Sequence, residues 1–209
     1  SLFDDKYLGW QPGNLIGIVG RLGVGKSTVA QYLACIAYKS GKRVLFISPE
    51  MSSEEVNLKF DTFMGKMNGY SFLNDKLQTG EINLKDYKQW LEEISIRKDW
   101  LTLDSANSKK FNINNITGMT QEFSPDLAAA TPLVMGMLAN RDAKDEMPRP
   151  DQVSYGDAFM QACDCGIFIQ QNINKPLMRY ITIPKRRTGR AINTPIEIKF
   201  DINQGLISM

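Results

Sequence analysis

The sequence contains no histidine. That removes histidine acid–base catalysis, histidine metal sites and serine-triad hydrolysis from the available chemistry. Cysteine is scarce as well: the three present are Cys35, Cys163 and Cys165. Cys163-Asp-Cys165 has the wrong spacing for the usual zinc pairs, and no second pair exists, so buried, reduced thiols are expected. No apolar run approaches the roughly 20 residues that cross a bilayer, and no secretory leader is recognisable. A cytoplasmic protein is expected. Net charge is only +2, so no global basic field marks a nucleic-acid binder, and such contacts must come from local patches. Internal repeats and low-complexity segments are also missing. At 209 residues the chain has the length of one domain, or one with a small attachment, and can bury a real core.

What is present is concentrated near the start. Gly20-Arg21-Leu22-Gly23-Val24-Gly25-Lys26-Ser27 is a complete G-x-x-x-x-G-K-[ST] phosphate-binding loop. Asn14–Val19 before it reads as a buried strand. Thr28–Tyr38 after it is apolar all round, as in a buried helix. Glycines let the backbone wrap a phosphate without Cβ clashes. N–H groups at the helix start, Thr28 included, point at the anion, and the helix dipole adds attraction. Lys26 reaches the β- and γ-phosphates of a nucleotide, and the Ser27 hydroxyl holds Mg2+. ATP and Mg2+ are the expected cofactors.

Farther along, Lys42–Ser48 reads as a second strand, with Gly41 capping the helix before it. Ser52-Ser-Glu-Glu55 is a capping box opening a helix to about Met67. A polar loop holding Gly69, Asn74 and Gly80 follows. Asn83–Ile96 is a helix with Tyr87, Trp90, Leu91 and Ile94 on one stripe. Trp100–Asp104 and Thr131–Met137 read as strands, Ser105–Asn112 and Ala139–Asp151 as loops. Gly156–Cys163 reads as a helix and Gly166–Gln170 as a strand. Met178–Pro184, Thr194–Phe200 and Leu206–Met209 read as antiparallel strands. Strands alternating with helices make the class α/β.

Two polar features stand near the nucleotide. Glu50 follows the second strand, at the edge where open α/β sheets bind ligands. There it can orient or deprotonate an attacking water, although it equally suits a solvated turn. Lys185-Arg-Arg-Thr-Gly-Arg190 follows a strand and reads either as a solvated hairpin tip or as a phosphate contact. An arginine fork fits a γ-phosphate, and in trans it acts as an arginine finger.

In this order the motifs resemble the C-terminal ATPase domain of DnaB-type replicative hexameric DNA helicases, of the RecA-like superfamily, almost end to end. Tyr7–Leu15 resembles the family's lead-in to the first strand. Phe46-Ile-Ser-Pro-Glu-Met51 looks like its Ser-Leu-Glu-Met motif, which places Glu50 in the catalytic position. Leu77–Ile82 and the Trp90 helix match its next segment, and Asn140-Arg141 its Leu-Asn-Arg. Lys185-Arg-Arg187 matches its Lys-x-Arg, from which Lys185 and Arg187 would reach a neighbouring subunit's nucleotide. Gln161 and Asp164 match its Gln-x-x-Asp.

The resemblance implies a RecA-like P-loop NTPase core: a mostly parallel sheet flanked by helices, with antiparallel C-terminal strands. It implies a homo-hexamer that hydrolyses ATP at subunit interfaces, moves 5′ to 3′ on single-stranded DNA and unwinds duplex. A primase and a helicase loader are the implied further partners. Loops at Arg149, Ser154, Tyr155 and Gly156 would face the DNA channel, with Tyr155 either stacking on a base or lying on the surface. The chain begins at Ser1 rather than Met, so it is expected to be a piece of something longer without the family's N-terminal domain.

There are departures. Leu138 stands where the family has a sensor glutamine, and Ser154-Tyr-Gly-Asp157 replaces Arg-Glu-Ser-Gly in the DNA loop. An apolar strand ending in a Mg2+-binding aspartate, followed by a long helix, is lacking. Asp126 follows a proline rather than a β run, and Ala128–Pro132 reads as the end of a helix already running. The expectation is therefore that a segment is missing between about Leu127 and Ala128. Alternatives are a RecA-like recombinase or ring ATPase without unwinding, and a nucleotide-binding homologue with weak catalysis. A small-molecule P-loop kinase is a further class, disfavoured by the lack of an arginine-rich lid.

Overall fold

The structure is a computed structural model; it describes residues 13–104, 113–130, 161–172, 174–187 and 191–209. In chain order its elements are β1 (Ile16–Val19), α1 (Lys26–Lys39), β2 (Val44–Ser48), α2 (Ser53–Met67), α3 (Asn74–Thr79), α4 (Leu84–Ser95), β3 (Trp100–Asp104), α5 (Ile113–Phe123), β4 (Leu127–Ala130), β5 (Cys165–Gln171), β6 (Met178–Arg186), β7 (Ile192–Asp201) and β8 (Leu206–Ser208). Contacts divide the chain into two units: Ser1–Lys26 with Val134–Phe200 and Ser208–Met209, and Ser27–Leu133 with Asp201–Ile207.

The first unit is built on β1, β5, β6 and β7, members of a sheet of order β1-β5-β6-β7-β8. β1 runs parallel to β5, with Ile16 opposite Cys165 and Val19 opposite Phe168. β5 with β6 and β6 with β7 are antiparallel, the second pair as the C-terminal sequence predicts. Val19, Phe168 and Ile169 are fully buried, so the strand that launches the phosphate loop is anchored in a packed interior.

The second unit holds a parallel trio, β3-β2-β4. All five residues of β2 are buried, which is what an apolar run covered by strands on both sides and layers on both faces requires. Helix α1 ends as expected: Gly41 has φ 85°, its N–H donates to Tyr38 O at 3.0 Å and the Lys42 N–H to Ala37 O at 3.1 Å. That pair of bonds is a Schellman cap. α1 is not apolar all round in effect; Val29, Ala34, Cys35 and Tyr38 are buried while Ile36 is 42% exposed. The Ser52–Glu55 capping box forms in full at the start of α2. α2 then buries Val56, Phe60, Phe63 and Met64, a spacing that puts one stripe of the helix inward. Phe60 and Trp100 approach to 4.5 Å between ring centroids, and Tyr38 meets both rings edge-on.

Three details differ from the sequence reading. Asn74–Thr79 is a short helix rather than loop; its first amides are taken by Asn203, through Asn74 N to the carbonyl at 3.0 Å and Asp75 N to Oδ1 at 2.9 Å. Those partners are over a hundred residues away, beyond any local signal. Leu91 is 41% exposed, so the α4 stripe buries Trp90 without it. Ala128–Ala130 belongs to β4 rather than to a helix end, with Leu127 opposite Val44 and Ala128 opposite Leu45. Asp126 sets this pairing: its carboxylate accepts the Arg43 N–H at 2.9 Å, and its own N–H donates to Arg43 O at 2.9 Å. Backbone pairing with β2 overrides alanine's helical preference.

Candidate functional site

The phosphate loop leaves the C-terminal end of β1. A Cβ on Gly20 would lie 2.6 Å from Ile169 O and 2.8 Å from Val24 Cγ1, so no side chain fits there. Gly23 and Gly25 have φ of +76° and +101°, conformations open to glycine at little expense. Val24 is buried between them, and Leu22 is 83% exposed at the loop's tip. Arg21 begins the turn, accepting the Val24 N–H at 3.4 Å. The Lys26 ammonium folds back over the loop and donates to Arg21 O at 2.8 Å. Lys26 also opens α1, whose first-turn amides, those of Ser27 and Thr28 among them, have no carbonyl four residues back within the helix. A glycine-rich turn, one cation and a helix start follow one another here, the sequence of parts that binds a polyphosphate.

Behind the loop lies a residue that sequence reasoning missed. Arg179, on β6, is buried to 7% exposure. Its Nε donates to Val24 O at 3.1 Å, and its Nη1 to Pro176 O and Met178 O at 2.6 and 2.9 Å. Its guanidinium lies 4.9 Å from the centre of the Phe200 ring. Burial lowers its pKa from the ordinary arginine value, but the carbonyls and the ring stabilise the cation. The available signal was an arginine at the apolar start of a strand, Met-Arg-Tyr-Ile.

In the second unit, β2 delivers Glu50 to an exposed turn. Ser48, fully buried, clamps that turn: its hydroxyl donates to Met51 O at 2.7 Å and accepts the Met51 N–H at 3.1 Å. Asp104, opposite Ser48 in the sheet, accepts the Ser53 N–H at the start of α2. Sequence reasoning gave Asp104 no role; here its carboxylate fixes the segment that displays Glu50.

The basic pair lies in the first unit. Lys185 and Arg186 are still strand residues of β6, and Arg187 follows directly. Lys185 Nζ donates to Gln161 O at 3.2 Å. Arg187 pairs with Asp164 at 2.8 Å and donates its backbone N–H to Asp164 O at 2.7 Å. The other Asp164 oxygen accepts the Leu15 N–H at 2.7 Å, so one aspartate ties the entrance of β1 to the end of β6. The neighbouring thiols of Cys163 and Cys165 are free and buried, and burial pushes their pKa values up, which makes them inert. Arg149, Ser154, Tyr155 and Gly156 lie outside the described residues, as do Leu138, Asn140 and Arg141. Among the described residues no group of three or more Cys, Asp or Glu is placed to hold a metal, and no helix is long and apolar enough to cross a membrane.

A glycine-shaped anion cradle at the mouth of a βα unit, set in a parallel sheet continued by antiparallel strands, defines the RecA-like class of α/β nucleotide-binding folds. The chain belongs to the family of the DnaB-like helicase C-terminal domain, whose family model matches residues 1–134. Its fold is similar to that of a solved DnaB-like replicative helicase, described with its interactions with primase, at a TM-score of 0.68 and 14% identity over 96% of this chain and 58% of that one. The chain thus spans little more than half of that helicase's length. A solved ATPase domain is similar at the same TM-score and identity, over 96% of this chain and 86% of that one. No curated protein matches the sequence.

Proposed function

We propose that the chain is the motor domain of a replicative DNA helicase. It would hydrolyse ATP at the interfaces of a homo-hexameric ring, move 5′ to 3′ on single-stranded DNA and part the duplex ahead of it. The observation that carries this reading is the phosphate loop, in which Gly20 and Gly25 leave no room for a side chain and Gly23 and Gly25 take positive φ, in a chain of this family. Lys26 would exchange the Arg21 carbonyl for β- and γ-phosphate oxygens, while the amides of Gly23 through Thr28 hold the rest of the tail. Ser27 is the residue that would hold Mg2+. That fits a cation that keeps several waters and takes few protein ligands; when bound, it neutralises charge on the phosphates. Glu50 would orient the attacking water, and Lys185 and Arg187 would serve the site of the adjoining subunit. A primase and a loader are candidate partners.

Turnover of ATP, with and without single-stranded DNA, tests this. Wild type is expected to be stimulated by DNA, and Glu50→Gln to lose most of its rate while still binding ATP. Equal rates in the two proteins would remove Glu50 from catalysis. A forked-duplex displacement assay separates unwinding from a recombinase-like activity.

One observation favours a second reading, weak catalysis. β4, paired with β2, reads Leu-Ala-Ala-Ala and offers no carboxylate where such ATPases carry their metal-binding aspartate. We propose instead that the natural protein carries a further stretch between Leu127 and Ala128. A tryptic peptide running unbroken from Phe111 to Arg141 in the protein from its source would overturn that, and weak turnover would then be expected.

A further inference from the structure

We infer that Arg179 is a positioning residue for the phosphate loop: with Phe200 it fixes the Val24–Gly25 peptide so that the loop's amides face the phosphate tail. The inference rests on the reading of that loop as a nucleotide site and deepens it.

The geometry is specific. The Val24 carbonyl is drawn toward the Arg179 Nε at 3.1 Å. In a planar trans peptide the C=O and the following N–H point in opposite directions. The Gly25 N–H is therefore turned away from the guanidinium, to the opposite side of the peptide. The Phe200 ring blocks the way back: it stands so close to Gly25 that a Cβ there would fall 2.6 Å from Cζ and 2.7 Å from Cε1. Arg179 is itself held against rotation by Pro176 O, Met178 O and the Phe200 ring. The pairing of Arg179 with Ile198 across β6 and β7 keeps the backbones of both side chains in register.

Two physical consequences follow. The peptide is preset, so binding does not have to order it. A buried positive charge also stands behind the loop, where low dielectric strengthens its pull on an anion. A purely structural arginine does neither; its loss would weaken all ligands of the site alike. Arg179 acts on the phosphates alone, so its loss should spare whatever binds the base and sugar.

The test uses the full chain and a fluorescent ATP analogue, displaced in separate titrations by tripolyphosphate and by adenosine. Far-UV circular dichroism and urea unfolding check folding. Wild type is expected to bind the analogue. Arg179→Met should raise the dissociation constant for ATP and for tripolyphosphate by about tenfold or more, the scale of losing a charge-assisted hydrogen bond, with adenosine displacement unchanged. Arg179→Lys, which keeps the charge but not the fork, should recover part of the loss, and Phe200→Leu should weaken tripolyphosphate in the same way. Should Arg179→Met fold poorly, Arg179→Lys and Phe200→Leu carry the comparison. Unchanged tripolyphosphate affinity in folded variants, or equal losses for tripolyphosphate and adenosine, overturns the inference. A wild type that binds no ATP overturns the nucleotide-site reading itself.

Discussion

Gly25 is constrained twice, by a φ of +101° and by the Phe200 ring where a Cβ would sit. Alanine there must strain the backbone and overpack the ring, each worth about 1–3 kcal/mol. Gly25→Ala is expected to lower the urea midpoint measurably and to abolish ATP binding in a fluorescence titration; retained affinity would mean that the loop is not the phosphate cradle. The loop was legible in the sequence because its determinants are adjacent: glycines, Lys26 and Ser27 within eight positions. Arg179 was not, because it acts on Val24 from 155 residues away. Sequence spacing carries local geometry and says nothing of which distant side chain will lie behind a turn.

The ends of α1 and α2, set by local stop and start signals, were read correctly, whereas α3 and β4, set by distant partners, were not. The capping box of α2 and the Gly41 cap of α1 are within-turn chemistry, whereas α3 depends on Asn203 and β4 on Arg43. α2 also carries a buried charge. Asp61 accepts Trp90 Nε1–H at 2.9 Å and Tyr87 O–H at 2.7 Å, linking α2 to α4. Burial raises the Asp61 pKa more than these two bonds lower it, and the Tyr87 phenol is pushed up in turn. An unfolded aspartate titrates near 3.9, so the folded state binds this proton more tightly. Its contribution is complete below about pH 4 and is lost as pH rises through the folded value. Comparing urea unfolding of wild type and Asp61→Asn, followed by tryptophan fluorescence, should therefore show the variant gaining relative stability from pH 4 to 7. A difference independent of pH would contradict the shift.

At the scale of the whole chain, the strand that leads into the phosphate loop and the C-terminal run of β6 to β8 lie in one five-stranded sheet. The DNA contacts, by contrast, were assigned by resemblance alone, at 149–156, outside the described residues. The proposed ring is testable by mixing. Lys26→Ala and Arg187→Ala proteins should each be nearly inactive, yet the mixture should regain ATP turnover, because some interfaces then join an intact Lys26 to an intact Arg187. No recovery on mixing would place Arg187 in its own subunit's site or in none.

The Arg187–Asp164 pair bears on how such a ring would switch on. Its arginine side chain is 63% exposed and its aspartate only 13%, so the guanidinium is open to solvent while its partner carboxylate is not. In the proposed ring, a lone subunit would keep its guanidinium against its own Asp164, and a neighbour's triphosphate would compete for it. Reactivity would then be withheld from unassembled copies and granted by contact, with ionic strength shifting the point at which the pair lets go.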